Sequence, residues 1–388
     1  VQTLSPTFIA AIKSPVHTIA IRMTVLDTSG NPVPGGVFHD VSYTADSTGI
    51  MTDGSVDLDI TRGARRTFTA SLLNDNGEWA PQADWSGLFY VNRMIRLERG
   101  IQISENTYEY VTIGTFYIDT ADIAIEKNMS MIALAGTDGW KKLATSRFGY
   151  AKTYAKNTNV NVILKDLASF AGITKLALDD LNTRTTAAKQ LSVALAVERD
   201  HEFGDIVSNL ATTFGIYIYF DPFGRMVSSE VPQPGTTQPC WVYDPSDNNN
   251  LLTVKASYKD DLFFNAVLVY GTGNKNHPVV SNRADTDPRS PTNVNAIGRR
   301  TDYYETDTIS TQAQADACAN KRYTDNMAVT EDIQLETICN PAFEGGDIIT
   351  VREPSFSNLN SNYIVRQLSI PLSSSRMTIK LERTRNVY

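Results

Sequence analysis

The stretch Val111–Trp140, VTIGTFYIDTADIAIEKNMSMIALAGTDGW, decides how the chain is read. Two apolar runs flank a polar break at Glu126-Lys-Asn. Gly114-Thr-Phe-Tyr-Ile-Asp opens the first, Met129-Ser-Met-Ile-Ala-Leu-Ala forms the second, and Gly136-Thr-Asp ends it. That spacing predicts a β-hairpin.

The layout recurs near the C-terminus. Tyr117-Ile118 stands fourteen positions before Met131, and Tyr363-Ile364 stands fourteen before Met377. A polar turn precedes each Met, Ser373-Ser-Ser-Arg376 in the second copy. The echo points to two copies of one β module at opposite ends of the chain.

Composition sets the bounds. A length of 388 residues predicts two to four domains. Hydrophobic and charged shares of 41% and 20% are those of a globular protein, neither collagenous nor disordered. No apolar run reaches the roughly 18 residues of a membrane span, so no stable membrane association is expected. The opening VQTLSPTFIAAIKSP lacks the basic and apolar regions of a secretory signal. A start at Val fits loss of an initiator Met, and synthesis and folding in a cytoplasm are expected. Cys240, Cys318 and Cys339 fit neither a disulfide framework nor a CxxC metal site and read as small buried hydrophobes. The formal net charge of -8, with no Lys/Arg-rich run, argues against a protein that grips nucleic acid by its phosphates.

Three regions follow in order. Residues 1–138 read as mostly β, with Ser55-Val-Asp-Leu-Asp-Ile60 alternating apolar and polar as a half-buried strand does. His17–Leu26, Thr67–Leu73 and Met94–Glu98 with Ile101–Ile103 are further strands. Asp27-Thr-Ser-Gly-Asn-Pro and Asn74-Asp-Asn-Gly are turns, and together these signals predict a barrel or sandwich. Residues 139–254 read as α/β: helices at about 160–171 and 201–214, each closed by a glycine, then a hairpin at 216–229. Asp200 is the candidate N-cap of the second helix, and Asp221-Pro-Phe-Gly224 fits a type I turn. Residues 255–388 return to β, with a long polar loop at 271–307 and a helix at about 311–327. Four more strands end the chain, the last alternating Met377, Ile379 and Leu381 with polar residues.

The search for chemistry yields no catalytic, cofactor-binding or metal-binding residue. His201-Glu202 begins an HExxH motif, but Asp205 stands where the second His belongs. With Glu198 and Asp200 nearby, a solvated helix start is the better reading. Asp119, Asp122 and Asp138 sit at strand and turn positions without a second catalytic signature. Asp244–Asn250 lacks the central Gly and terminal Glu of a calcium loop, and Gly271-Thr-Gly is too short to cradle phosphate. Trp79, Trp85, Phe89 and Tyr90 are a candidate sugar platform, though core and subunit-contact roles are commoner for such residues. A non-enzyme without cofactor is expected.

The ordered set of segments carries a resemblance. GTFYIDTADIAIEKNMSMIALAGTD is followed by NVILKDLASFAGI, EFGDIVSNLATTFGIYIYFDPFGRM, FFNAVLVYG, TQAQADACANKRYTDNM and finally GGDIITVREP…NYIVRQLSIPLSSSRMTIKLERTR. This series resembles the tail hub, or baseplate hub, proteins of bacteriophages and related contractile injection systems. The resemblance implies a mixed, mainly β fold in which two tube-like β-barrel modules flank a smaller α/β region. It implies a homotrimer at the tail tip that adapts a sixfold tail tube, or a distal tail protein ring, to threefold tip, spike or fibre proteins. It also implies a tape measure protein as neighbour, a virion location after assembly in the host cytoplasm, and contact with DNA only in passage through the lumen. Three copies of a duplicated module offer six near-equivalent edges while keeping threefold symmetry. The charge then sums to about -24, three times -8, and a negative lumen would repel DNA phosphates. Asp57 and Asp59 are candidates for that surface. Many siphophage hubs continue into a peptidase, lysozyme or receptor-binding part; if this chain, which ends at Tyr388, is complete, such an activity is expected to sit on another protein. The alternative reading is a distal tail or fibre-attachment protein that binds host-surface glycan through the Trp79–Tyr90 region, and the weakest is a cell-wall hydrolase using acids around His201. In the hub reading, removing the 271–307 loop impairs assembly more than folding.

Overall fold

The computed structural model describes residues 2–14, 17–40, 49–74, 79, 87–105, 107–126, 129–179, 189–232, 237–244, 250–257, 264–274, 276–327, 332–354 and 359–382. Helix α1 (Pro6–Lys13), capped by the Ser5 hydroxyl, seats Phe8 and Ile12 against Ile101 and Val111. Seven strands follow: β1 (Ile19–Leu26), β2 (Pro32–His39), β3 (Gly49–Asp59), β4 (Arg66–Leu73), β5 (Met94–Ser104), β6 (Thr107–Glu126) and β7 (Met129–Thr137). They close on themselves in the order β3-β2-β1-β5-β6-β7-β4, with β4 pairing back to β3. Every pair in this ring is antiparallel except a short parallel contact between β2 and β3.

The period-2 pattern at Ser55–Ile60 is present, with Val56 and Leu58 buried and Asp57 exposed. The expected hairpin is β6 and β7, paired from Tyr117↔Thr137 to Glu126↔Met129; residues 127 and 128 of its turn lie outside the described residues. Met94–Glu98 and Ile101–Ile103 are one strand, β5, because β1 supplies ladder partners straight through the gap from Met94 to Ile101.

The next elements are α2 (Trp140–Thr145), β8 (Lys152–Tyr154), α3 (Val160–Phe170), β9 (Leu176–Leu178), β10 (Leu195–Val197), α4 (Phe203–Phe214), β11 (Ile216–Phe220) and β12 (Met226–Glu230). Helix α3 buries Val160, Ile163, Leu164, Leu167 and Ala168 on one face. It ends in a Schellman motif: Gly172, at φ +68°, donates to Ser169, and Ile173 donates to Ala168. Helix α4 ends on Gly215 at φ +61° but starts at Phe203, two residues later than the sequence predicts. Asp200 does not cap it. The His201 N–H turns back to Glu198, and Glu202 takes the N-cap position without a side-chain cap because its carboxylate pairs with Arg147. Asp221 accepts from the Phe223 and Arg225 amides and so holds the β11–β12 turn.

The remaining elements are β13 (Trp241–Tyr243), β14 (Leu251–Ser257), β15 (Ala266–Gly271), β16 (Val279–Ala284), α5 (Val294–Ile297), β17 (Thr301–Thr306), α6 (Gln312–Met327), β18 (Asp332–Ile338), β19 (Ile348–Glu353), β20 (Leu359–Pro371) and β21 (Arg376–Glu382). The expected loop at 271–307 is not a loop. It holds β16, α5 and β17, and the two strands flank β15 in a three-stranded sheet. Helix α6 covers that sheet, burying Ala315, Cys318 and Ala319 against Val267, Val269 and Ile309. Hydrophobic periodicity misses this region because polar groups organise it. Asp285 accepts from Ser290 and Thr292, and the Asn265 amide reaches the carbonyls of Thr292 and Gly298.

Strands β13-β19-β20-β21-β18-β14 form the second large β unit, joined to the first through β20 and β3 into one 13-stranded sheet. A single core runs through both, including Phe38, Phe68 and Phe116 from one side and Phe343, Tyr363 and Val365 from the other. The architecture is mainly β, as the sequence predicts. Among the described residues no helix is long and apolar enough to cross a membrane.

Candidate assembly site

The duplication is legible strand by strand. In the first unit β3 pairs β4, β4 pairs β7, β7 pairs β6 and β6 pairs β5; in the second β14 pairs β18, β18 pairs β21, β21 pairs β20 and β20 pairs β19. All eight pairings are antiparallel. The bulges coincide as well. One lies between Met51 and Asp53 on β3 and between Leu251 and Thr253 on β14; another lies between Ile118 and Thr120 on β6 and between Val365 and Gln367 on β20. These bulges fix the correspondence residue by residue. Ile118 answers to Val365 and Phe116 to Tyr363, all four fully buried. The repeated Tyr-Ile of the sequence is therefore one residue out of structural register.

The two units meet where Gln367–Pro371 of β20 pair with Asp59–Ser55 of β3. The Gln367 amide donates to Asp59 at 2.8 Å, and the Ser373 hydroxyl donates to Asp53 at 2.7 Å. Arg99, buried at 1% exposure on β5, reaches across to the β20–β21 turn. Its guanidinium donates to the carbonyls of Leu372 at 3.1 Å and Ser374 at 2.6 Å, and also to that of Pro371.

A second buried cluster lies where both units meet the α/β region. Arg66 of β4 is 2% exposed, donates to the Ile113 carbonyl at 3.0 Å and pairs with Glu344, from the segment between β18 and β19. Beside it Asp138 accepts from the backbone N–H of Arg66 and of Trp140, each at 3.0 Å. Arg65 lies over the rings of Tyr217 and Tyr219, its guanidinium 4.4 and 4.7 Å from their centroids. Burial pushes the Glu344 carboxyl up to about 7 against the pull of Arg66, and pushes Asp138 up to about 6 against its two backbone hydrogen bonds and the neighbouring arginines. The cluster thus brings together β4 of the first unit, the β18–β19 segment of the second and the β11 tyrosines of the α/β region. Sequence reasoning missed both arginines, although Arg66 shares the inward row of Phe68, Ala70 and Leu72, and Arg99 that of Ile95, Leu97 and Ile101.

The residues singled out from the sequence go elsewhere. Phe89 is fully buried, Trp79 packs edge-on against Phe38 at 5.1 Å, and Arg93 covers and bonds Tyr90. Trp85 lies outside the described residues, as do residues 245–249 of the Asp244–Asn250 stretch. Asp119 pairs with Lys141 at 2.5 Å, Asp138 is the buried acid above, and Asp122 is exposed. His201 is exposed, and among the described residues no three His, Cys, Asp or Glu side chains are grouped to hold a metal. Gly271 and Gly273 are packing glycines: a Cβ there would meet Ile309 Cγ2 at 2.6 Å and the Asp307 carbonyl at 2.4 Å. Cys318 and Cys339 are buried and Cys240 half-buried. Asp57 and Asp59 lie on the polar face of β3, and Asp59 also bonds the Thr61 hydroxyl and amide. A cleft of about 620 Å³ beside the cluster is lined by Arg62, Arg65, Lys189, Lys321 and Arg366, among others.

No protein-family model matches the sequence, and no curated protein sequence matches it. Solved structures do match in fold. A tail protein from Neisseria meningitidis MC58 aligns over 94% of this chain and 96% of its own, at 13% identity and a TM-score of 0.66. The 43 kDa tail protein of prophage MuSo2 from Shewanella oneidensis aligns over 95% and 99%, at 10% identity and 0.63. A chain of the Francisella PdpA–VgrG complex aligns over 96% of this chain and 53% of its own, at 11% identity and 0.54. The chain has the phage tail hub fold.

Proposed function

We propose that this chain is a structural virion protein, a trimeric tail-tip or baseplate hub. Its tube-like modules centre on residues 1–138 and 255–388, flanking the α/β region of 139–254. In this reading the hub adapts a sixfold tail tube or distal tail ring to threefold tip, spike or fibre components. It adjoins the tape measure protein and forms part of the DNA ejection channel. The observation that supports the reading is the repeated pairing order with its matched bulges, which gives one chain two near-equivalent modules side by side. Fold similarity to tail proteins over almost the whole chain supports it too. The formal charge of -8 per chain suits a conduit that must not retain DNA.

The test is light scattering of the full chain together with electron microscopy of tagged chain in purified particles. The hub reading expects a mass of three chains, a six-lobed ring in projection and label confined to the tail tip. Label absent from the particles overturns it.

A further inference from the structure

The junction inside the chain defines a second junction that, among the described residues, the chain does not make with itself. Within the chain, the far half of β20 (Gln367–Pro371) pairs with the outer edge of β3 (Asp59–Ser55). By the bulge correspondence, Thr120–Ala124 of β6 answer to Gln367–Pro371, and Lys255–Ser257 of β14 answer to Ser55–Asp57. Both counterpart edges are open among the described residues. Strand β6 pairs with β5 only as far as Tyr117 and beyond Ile118 is paired with β7 alone, and β14 is paired with β18 alone. Exposure follows the same logic. Ile370, inside the existing junction, is 1% exposed, whereas its counterpart Ile123 is 43% exposed. An open edge carrying an exposed branched apolar residue is a template for another strand.

We infer that β14 of a second copy of this chain pairs antiparallel with the Thr120–Ala124 edge of β6. In the register of the internal junction, Asp122 faces Ser257, Ile123 faces Ala256 and Ala124 faces Lys255 of the second copy. Ile123 and Ala256 then lie on the apolar face, as Ile370 and Val56 do inside the chain. Asp122, Ala124 and Lys255 fall on the opposite, wet face. The contact is head-to-tail, because each chain offers one edge of each kind, so repetition makes a ring or a filament. Closure at three chains rests on the hub reading; the pairing itself rests on the duplication.

The test is a pair of cysteines in the full chain, with Cys240→Ala removing the half-buried native thiol. Ile123→Cys with Ala256→Cys places two thiols directly opposite each other across the new junction. Ile123→Cys with Lys255→Cys is one residue out of register and turns one thiol to the other face. On mild oxidation the first pair should lose most of its monomer band to covalent species of up to three chains, and the second should keep it. A third variant, Ile123→Lys, should abolish the multimer in light scattering without lowering the melting temperature of the monomer, since the side chain is exposed there. Assembly without the in-register crosslink, equal crosslinking of both pairs, or a chain that stays monomeric and uncrosslinked at its highest soluble concentration each overturns the inference. Crosslinked rings whose label is missing from particles would instead overturn the hub reading alone.

Discussion

Arg66 and Glu344, 278 residues apart in sequence, form an ion pair beneath the surface where the two β units meet the α/β region. Removing one partner of a pair this buried strands the other charge, which costs far more than the pair itself contributes. Arg66→Ala should therefore lower unfolding stability by about 3 kcal/mol at pH 8. At pH 5, where the stranded Glu344 takes up a proton, the loss should be visibly smaller. Urea denaturation of both proteins at the two pH values checks this. Equal losses would mean that packing around the Arg66 stem, not its charge, holds the junction.

The wild type should itself be more stable at pH 5 than at pH 8. Glu344 is raised from 4.5 to about 7 and Asp138 from 3.8 to about 6, so the folded state binds more protons than the unfolded chain across that interval. Stability then falls as pH rises through the folded values. Acids held below their usual range, such as Asp53 and Asp302, contribute in the opposite sense only below about pH 4. The expected change from pH 5 to pH 8 is about 2–4 kcal/mol, read as a falling urea midpoint. Glu344→Gln should flatten the profile, and a wild-type midpoint that rises over this range would contradict the assignment.

Arg99 fastens β5 to the β20–β21 turn through three carbonyls, which only a forked donor can reach together. Arg99→Met keeps most of the stem packing but leaves those carbonyls without their donor, at a cost of about 2 kcal/mol. Arg99→Lys should recover less than half of that loss, since one ammonium cannot replace the fork. Amide exchange adds a local readout: Leu372, whose N–H bonds the Gly54 carbonyl, should exchange faster in both variants. Unchanged protection at Leu372 would show that the β3–β20 ladder fixes the turn unaided.

Much of the fold was legible because burial writes a period into the chain. Val56 and Leu58, or Met377, Ile379 and Leu381, show the strand period, and the inner faces of α3 and α4 show the helical one. Strand β2 was hidden for a different reason. Its Pro-Val-Pro-Gly-Gly opening reads as turn, yet β1 provides its ladder, and at Gly36 a Cβ would sit 2.9 Å from that of Val25. The junction cluster was hidden because its arginines occupy apolar rows and find their partners in distant segments. The duplication was visible only as an echo, since bulges rather than identical side chains preserve it.

The unit at 266–327 changes what deleting residues 275–307 should do. Those residues include both flanking strands of β15, so their loss removes the sheet that α6 packs on. The inner face of α6, with Ala315, Cys318 and Ala319, would then face water together with Val267 and Val269. The deletion should damage local folding as well as any assembly, contrary to what a loop would predict. Cys318 gives the readout, because its thiol is fully buried in the intact chain. In a Cys240→Ala background, native protein should react with a thiol reagent only at the rate of opening, and the deletion variant should react at Cys318 without delay. The large sheet has its own core, so far-UV circular dichroism should retain most of its strand signal in the variant. Protection of Cys318 after the deletion would mean that α6 finds another partner, the nearest being α4, to which this unit is tied through the Thr213–Thr308 hydroxyl contact of 2.7 Å.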